Sequence, residues 1–214
     1  RLQALRRRFF ATPQSLGARP IALQRQGLLD AAHAPYVENQ RWLHRGVVFA
    51  TVHTVGPVNG MDADRRAVRA EARLREAANA AWITEAFALA QRTGAPALVL
   101  ATQAETLDRP GAAGQAGRRV KPAFPSIAGT LLPLAAAAPH PVLLVHGDDH
   151  EFKHDRPFQD AQGRRIDSLW RLQVFGHPRL HAVRVRVQPG VAGRPFAVEP
   201  VWNPLSVDPA ASPR

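Results

Sequence analysis

The sequence predicts an α/β fold in which two β-sheets pack face to face with helices outside, and three observations support it. Apolar, β-branched runs at residues 47–52, 97–102 and 141–146 alternate with two helical stretches, the second over 126–138. That β-α-β-α-β order builds a parallel sheet covered by helices. Residues 169–175, 180–187 and 196–201 are then separated by Gly and Pro turns and read as antiparallel strands of a meander. In the middle one, Val183, Val185 and Val187 alternate with Arg184 and Arg186, the period of a sheet with one buried face.

Residues 2–10 begin the chain's pattern as a short amphipathic helix containing Arg6-Arg7-Arg8 and Phe9-Phe10. The run Val47-Val48-Phe49-Ala50-Thr51-Val52 is a buried strand, broken by the loop Gly56-Pro57-Val58-Asn59-Gly60. Asp62 or Asp64 offers an N-cap for a long helix reaching about Arg92, with Gly94 closing it. Ala78, Trp82, Ala86 and Leu89 fall at helical spacing and give one apolar face. The earlier half is more charged, and Glu71 and Arg75 stand at the spacing of a helical ion pair. Residues 107–125, rich in Gly, Ala, Arg and Pro, read as a mobile excursion, and 204–214 as a tail. Residues 1–203 then belong to one domain.

Composition narrows the function. A chain of 214 residues with 45% hydrophobic and 21% charged residues suits one globular domain or most of a larger one. No apolar run approaches the roughly 18 residues that cross a bilayer. With no initiator Met and no charged-then-apolar leader, a targeting segment has been removed or was never included. The absence of Cys excludes disulfides, thiolate nucleophiles and Cys-ligated zinc, and suits an oxidising compartment, so a periplasmic or secreted location is favoured. The net charge of +11 invites a nucleic-acid reading, but lysine occurs only at 121 and 153 and the arginines are scattered. No nucleic-acid partner is expected. Neither a Ser-centred nucleophile elbow nor a Walker-type loop is present, and Gly111-Ala112-Ala113-Gly114 lacks the Lys and the following helix.

In an α/β sheet, ligands collect just past the carboxyl ends of the strands. Two predicted strands end in polar residues there. One runs into Thr102-Gln103-Ala104-Glu105, the other into His146-Gly147-Asp148-Asp149-His150, followed by Glu151, His154 and Asp155. The second is the densest group of imidazole and carboxylate side chains in the chain. Its Gly turn allows side chains two apart to converge on a divalent ion, and the alternative is a polar turn at the surface. His53 and Asn59 either line the same mouth or cap a strand end; Glu38 and Asn39 are either site or turn residues. His177 and His181 flank a hairpin and read as surface residues.

Several segments, in order, resemble a bacterial branch of the calcineurin-like phosphoesterases. They are Arg1-Leu2 with Leu5-Arg6-Arg7-Arg8-Phe9-Phe10, Ser15-Leu16-Gly17, Glu38-Asn39 with Arg41-Trp42, and Val47-Val48-Phe49-Ala50-Thr51-Val52-His53. Ala77-Ala78-Asn79-Ala80-Ala81-Trp82, Gln103-Ala104, His146-Gly147-Asp148-Asp149-His150 with Asp155, and Phe175-Gly176 continue the series. The resemblance implies a metallophosphatase-like sandwich of two sheets flanked by helices, of which this chain is the C-terminal two-thirds with the N-terminal portion missing.

The resemblance also implies roles. The family's last signature block, Gly-His-x-His, maps onto Gly147-Asp148-Asp149-His150. His150 then stands as a metal ligand and Asp148 where the first histidine would be. The family's isolated His falls at Gln103, a poor zinc ligand. His146 becomes a catalytic or substrate-contacting candidate, and Gln103, Asp149, His53, Asn59 and Asn39 candidate lining residues. The implied cofactor is one or two divalent ions (Mn, Fe or Zn), and the implied partner a phosphorylated substrate. Metal-activated water would hydrolyse a phosphate ester, with this chain inactive alone and a core strand edge and helix faces left exposed. The departures at Gln103 and Asp148 sustain the alternative of a non-catalytic binding protein on the same fold.

Overall fold

The computed structural model describes residues 2–62, 64–108, 119–191 and 193–206. In chain order its elements are α1 (Leu2–Phe9), β1 (Gln24–Arg25), α2 (Gln26–Leu29), β2 (Gln40–His44), β3 (Val47–Thr51), α3 (Arg66–Arg92) and β4 (Leu98–Ala101). A π-helical turn, Ile127–Leu131, leads into α4 (Leu132–Ala137), followed by β5 (Val142–His146), β6 (Lys153–Asp155), β7 (Leu169–Gln173), β8 (Ala182–Val187) and β9 (Phe196–Val201). The chain is mixed α/β. A seven-stranded sheet has the order β1-β2-β3-β4-β5-β7-β6, and β8 and β9 form a separate two-stranded sheet.

β3, β4, β5 and β7 are mutually parallel, with Ala50, Leu100, Leu144 and Arg171 in one row across the sheet. Side chains alternate between two cores, as strand geometry requires. On one face Val48, Ala50, Leu98, Leu100, Val142 and Leu144 pack beneath Trp82, Ile83, Ala86 and Phe87 of α3 and beneath Ile127 and Leu131. On the other, Val47, Val99, Leu143 and Leu172 meet Phe196 and the valines of β8. The alternation predicted for β8 is present: its arginines are exposed and its valines half-buried.

Three expectations change in detail. Residues 41–53 hold a β2–β3 hairpin turned at Arg45-Gly46, both with positive φ (48° and 81°), the geometry of a tight hairpin turn. β2 thereby occupies the outer edge of β3, so the edge of that core strand is not exposed. β7 does not join the meander; it pairs parallel to β5 inside the main sheet. Its residues are buried on both faces, which is the signature of an interior parallel strand rather than of alternation.

α3 starts later than either aspartate would place it, with Arg65 at the N-cap and no side-chain cap bond. The chain just before is committed to turns closed by Asn59 N–H to Val55 O and Met61 N–H to Val58 O. Its end is as read. Gly94 takes φ +59°, Ala95 N–H reaches Ala90 O at 2.8 Å and Gly94 N–H reaches Gln91 O at 3.2 Å, a Schellman closure.

The ends of the expected mobile excursion are core: Leu107 and Phe124 are fully buried, and Leu107 bridges Val120. Residues 109–118 of that excursion, and 207–214 of the expected tail, lie outside the described residues. Among the described residues no helix is long and apolar enough to cross a membrane.

Because Phe196 packs the β8–β9 pair onto the main sheet, Phe196→Ala should cost about 3–5 kcal/mol of unfolding free energy in a urea titration. A hairpin making no such contact would give a change within about 0.5 kcal/mol.

Candidate functional site

Because β3, β4, β5 and β7 run parallel, their carboxyl ends open at one end of the sheet. The first two tips are stitched by threonines. Thr54 Oγ1 and Thr102 Oγ1 share a hydrogen bond of 2.5 Å, Thr102 Oγ1 donates to Val52 O at 3.0 Å, and Ala104 N–H donates to Thr54 Oγ1 at 3.2 Å.

Beyond Thr54, the loop is held by a buried polar network under α3. Asn59, fully buried at φ +57°, accepts from Val55 N–H and from Arg75 Nη1, and donates to Glu76 Oε1 at 2.8 Å and Ala123 O at 3.1 Å. The other Glu76 oxygen accepts from Ser126 N–H at 2.9 Å and Ser126 Oγ at 2.6 Å. Asn79 donates to Glu76 Oε1 and to His53 O, while Arg75 pairs with Glu71 at 3.0 Å as its spacing predicted. Asn39 joins the same network, donating to Gln26 Oε1 and Asn79 Oδ1 and accepting from His53 N–H. Asn39 and Asn59 are therefore struts behind the strand tips. His53 faces Glu38 at 3.6 Å, and Glu38 takes two hydrogen bonds from Arg6 at 2.6 and 2.9 Å.

The fixed loop delivers Gly56 to the β4 tip. Gly56 N–H donates to Gln103 Oε1 at 2.7 Å, and Gln103 Nε2 donates to Asp148 Oδ1 at 3.2 Å. Glu105 N–H reaches Asp148 Oδ2 at 3.3 Å. Gln103 and Asp148, picked separately from the sequence, thus meet. The carboxylate lies flat against Gly56, where a Cβ would fall 2.2 Å from Oδ2. His150 is seated elsewhere: its Nδ1 lies 2.9 Å from His177 O, and a Cβ on Gly176 would fall 2.4 Å from its Cδ2. Asp148 (φ +80°) and His150 (φ +60°) are both left-handed, a backbone state uncommon outside Gly, though Asp and His adopt it more readily than most residues.

His146 is 1% exposed and forms the floor of this turn, its Nδ1 3.1 Å from Gly147 O. Its register partner on β7 is Gln173, fully buried; His146 Nε2 and both amide atoms of Gln173 have no partner among the described residues. Arg171, on the same strand, pairs with Asp155 at 2.7 and 2.5 Å and with Glu105 at 3.4 Å. Asp149 is half-buried and lies near enough to His146 to favour its charged form, less strongly than Glu105 does, while burial disfavours it most. His177 is exposed as read, but its carbonyl is the anchor for His150. His181 is half-buried rather than a free surface residue, edge-on to Phe175 and Trp202 at 5.1 and 4.7 Å.

Sequence reasoning missed Thr54, Gly56, Arg75, Glu76 and the His177 carbonyl. Their partners are 16 to 50 residues away, apart from the Arg75–Glu71 and Asn79–Glu76 pairs. The one available signal was the placement of Thr54 and Thr102 at the two strand ends.

The donors fit a divalent cation in kind. Asp148 accepts two hydrogen bonds and keeps further lone pairs, and His150, with Nδ1 facing a carbonyl, has a second ring nitrogen in Nε2. Among the described residues, however, no group of three or more His, Cys, Asp or Glu side chains is gathered into a cage. Comparison with protein-family models, with characterised proteins and with solved structures returns no match for this chain.

Two predictions follow from this geometry. Asn59→Ala leaves Glu76 and Arg75 short of buried partners, and should cost at least about 1–3 kcal/mol in chemical denaturation; a change below about 0.5 kcal/mol would mean the network is not closed.

The second concerns pH. Burial holds His53, His140, His146 and His154 below the ordinary imidazole range. Unfolded histidines take up protons as pH falls through about 6.5, whereas these resist, so the unfolded state binds more protons. Stability should be full above about pH 6.5 and fall below it. For His140 burial alone acts, so His140→Phe should flatten the acid slope with little loss at pH 7.5; an unchanged slope would refute the assignment.

Proposed function

We propose that this chain forms part of a metal-dependent hydrolase of phosphate esters, with Asp148 and His150 as cation donors at the tip of β5. One observation carries the reading: both residues adopt a left-handed backbone, and each side chain is pressed against a glycine of a neighbouring strand tip. Two such placements within three residues are costly, on the order of 1 kcal/mol or more each, and persist where surrounding structure fixes them for use.

A bound divalent ion (manganese, iron or zinc, alone or as a pair) would supply Lewis acidity and an activated water. The chain's own residues do the holding. Gln103 and Glu105 N–H orient the Asp148 carboxylate. The Thr54–Thr102 bond keeps the β3 and β4 tips together, and the Asn59 network keeps Gly56 where Gln103 can use it. His146, enclosed in the floor, supports the turn rather than meeting a substrate. Further ligands are required, and on this reading they come from a segment outside the 214 residues. The partner is then a phosphorylated substrate.

The second reading, a non-catalytic binding protein on the same fold, is favoured by the Gln103 amide, which donates to Asp148 where a third ligand would be useful. Zinc titration by calorimetry separates the two. The hydrolase reading expects Asp148→Ala and His150→Ala each to weaken binding by more than the roughly 10–100-fold that loss of a ligand's hydrogen-bond partner brings. It also expects manganese-dependent hydrolysis of an aryl phosphate by protein that carries the missing ligands, and none by the 214-residue chain alone. Equal zinc affinity in wild type and both variants would end the hydrolase reading.

A further inference from the structure

We propose that Gly176 and the backbone carbonyl of His177 are positioning residues that select the Nδ1–H tautomer of His150 and leave Nε2 as its metal-binding atom. This rests on the hydrolase reading only in naming what Nε2 is for.

The first support is a hydrogen bond whose direction is fixed. His150 Nδ1 lies 2.9 Å from His177 O, and a carbonyl oxygen can only accept. The proton of the neutral ring must therefore sit on Nδ1. A neutral imidazole free in water favours the opposite tautomer, with the proton on Nε2, so the carbonyl is reversing an intrinsic preference. Turning the ring by half a rotation would put Cδ2–H opposite the carbonyl and forfeit the bond.

The second support is steric and independent of the first. The face of the ring rests on the bare Cα of Gly176: an added Cβ would lie 2.4 Å from Cδ2, 2.6 Å from Cγ and 3.0 Å from Nε2. Gly176 is not among the glycines with positive φ, so its role here is space rather than backbone freedom. Any side chain at 176 would push the ring off its seat and away from the carbonyl. The left-handed backbone at His150 itself, φ +60°, turns the side chain toward that seat.

Metal-ligating histidines commonly donate their second nitrogen to a carbonyl or carboxylate, which fixes ring and tautomer before the ion arrives. Here the fixing groups sit on the loop after β7, whereas the ligand sits on the loop after β5. Because the partner is a main-chain atom, the identity of residue 177 is immaterial while that of residue 176 is not.

Long-range proton–nitrogen correlation spectra of the uniformly ¹⁵N-labelled chain, at a pH where every histidine is neutral, read the tautomer directly. His150→Gln identifies the resonances. The expected result is a protonated Nδ1 and a bare Nε2 for His150, unchanged in His177→Ala and lost in Gly176→Ala. Adding zinc should then move Nε2, with about 10–100-fold weaker zinc binding in Gly176→Ala. A proton on Nε2 in the wild type, or an unaltered signature in Gly176→Ala, overturns the assignment, and the wild-type spectrum alone decides it should the variant not fold. A protonated Nδ1 with no response to zinc would instead uphold the positioning and sink the metal-site reading.

Discussion

The buried Glu76 carboxylate is the constraint on which the strand tips depend. A carboxyl group 3% exposed is tolerable only if its oxygens are satisfied, and here Asn59, Asn79 and both donors of Ser126 satisfy them. These bonds tie two separate pieces of chain to α3, the loop after β3 and the segment entering the π-helical turn, and Asn79 adds a bond to His53 O at the start of that loop. Geometry is then passed on by contact. Asn59 fixes the loop, the loop delivers Gly56 to Gln103, and Gln103 holds Asp148. The last two links join residues 47 and 45 apart in sequence, so loosening the first should blur the last.

His150 is anchored by a separate route, through the loop after β7. The two candidate donors are thus held from opposite sides of the β5 tip, one by β3 and β4, the other by β7. Such an arrangement fixes the two side chains independently of one another. It also accounts for the paired left-handed backbone: a turn carrying two side chains to two different seats, within three residues, has few conformations open to it.

Much of this fold was legible in the sequence. The apolar runs of β3, β4 and β5 were plain, as were the valine alternation of β8 and the Gly94 closure of α3, because each is a local pattern. The parallel partner of β7 was not, since the residues of a strand do not name its neighbour. The early half of α3 misleads for a related reason. Arg75, Glu76 and Asn79 look like a solvated face, yet they continue the buried stripe of Trp82 and Ala86, with polar bonds in place of apolar contact. Of the site, the residue types at the β4 and β5 ends could be picked out, and Gln103 does meet Asp148. That Asn39 and Asn59 serve as struts, and that His150 turns to a carbonyl 27 residues away, follows from tertiary packing that no local pattern encodes.

The most direct measurement is a crystal structure of the zinc-soaked protein with anomalous scattering recorded at the zinc edge. The account predicts a zinc peak about 2.0–2.2 Å from both an Asp148 carboxylate oxygen and His150 Nε2. Zinc bound away from both residues, with Asp148 still closed onto Gln103 and His150 Nε2 facing solvent, would contradict it.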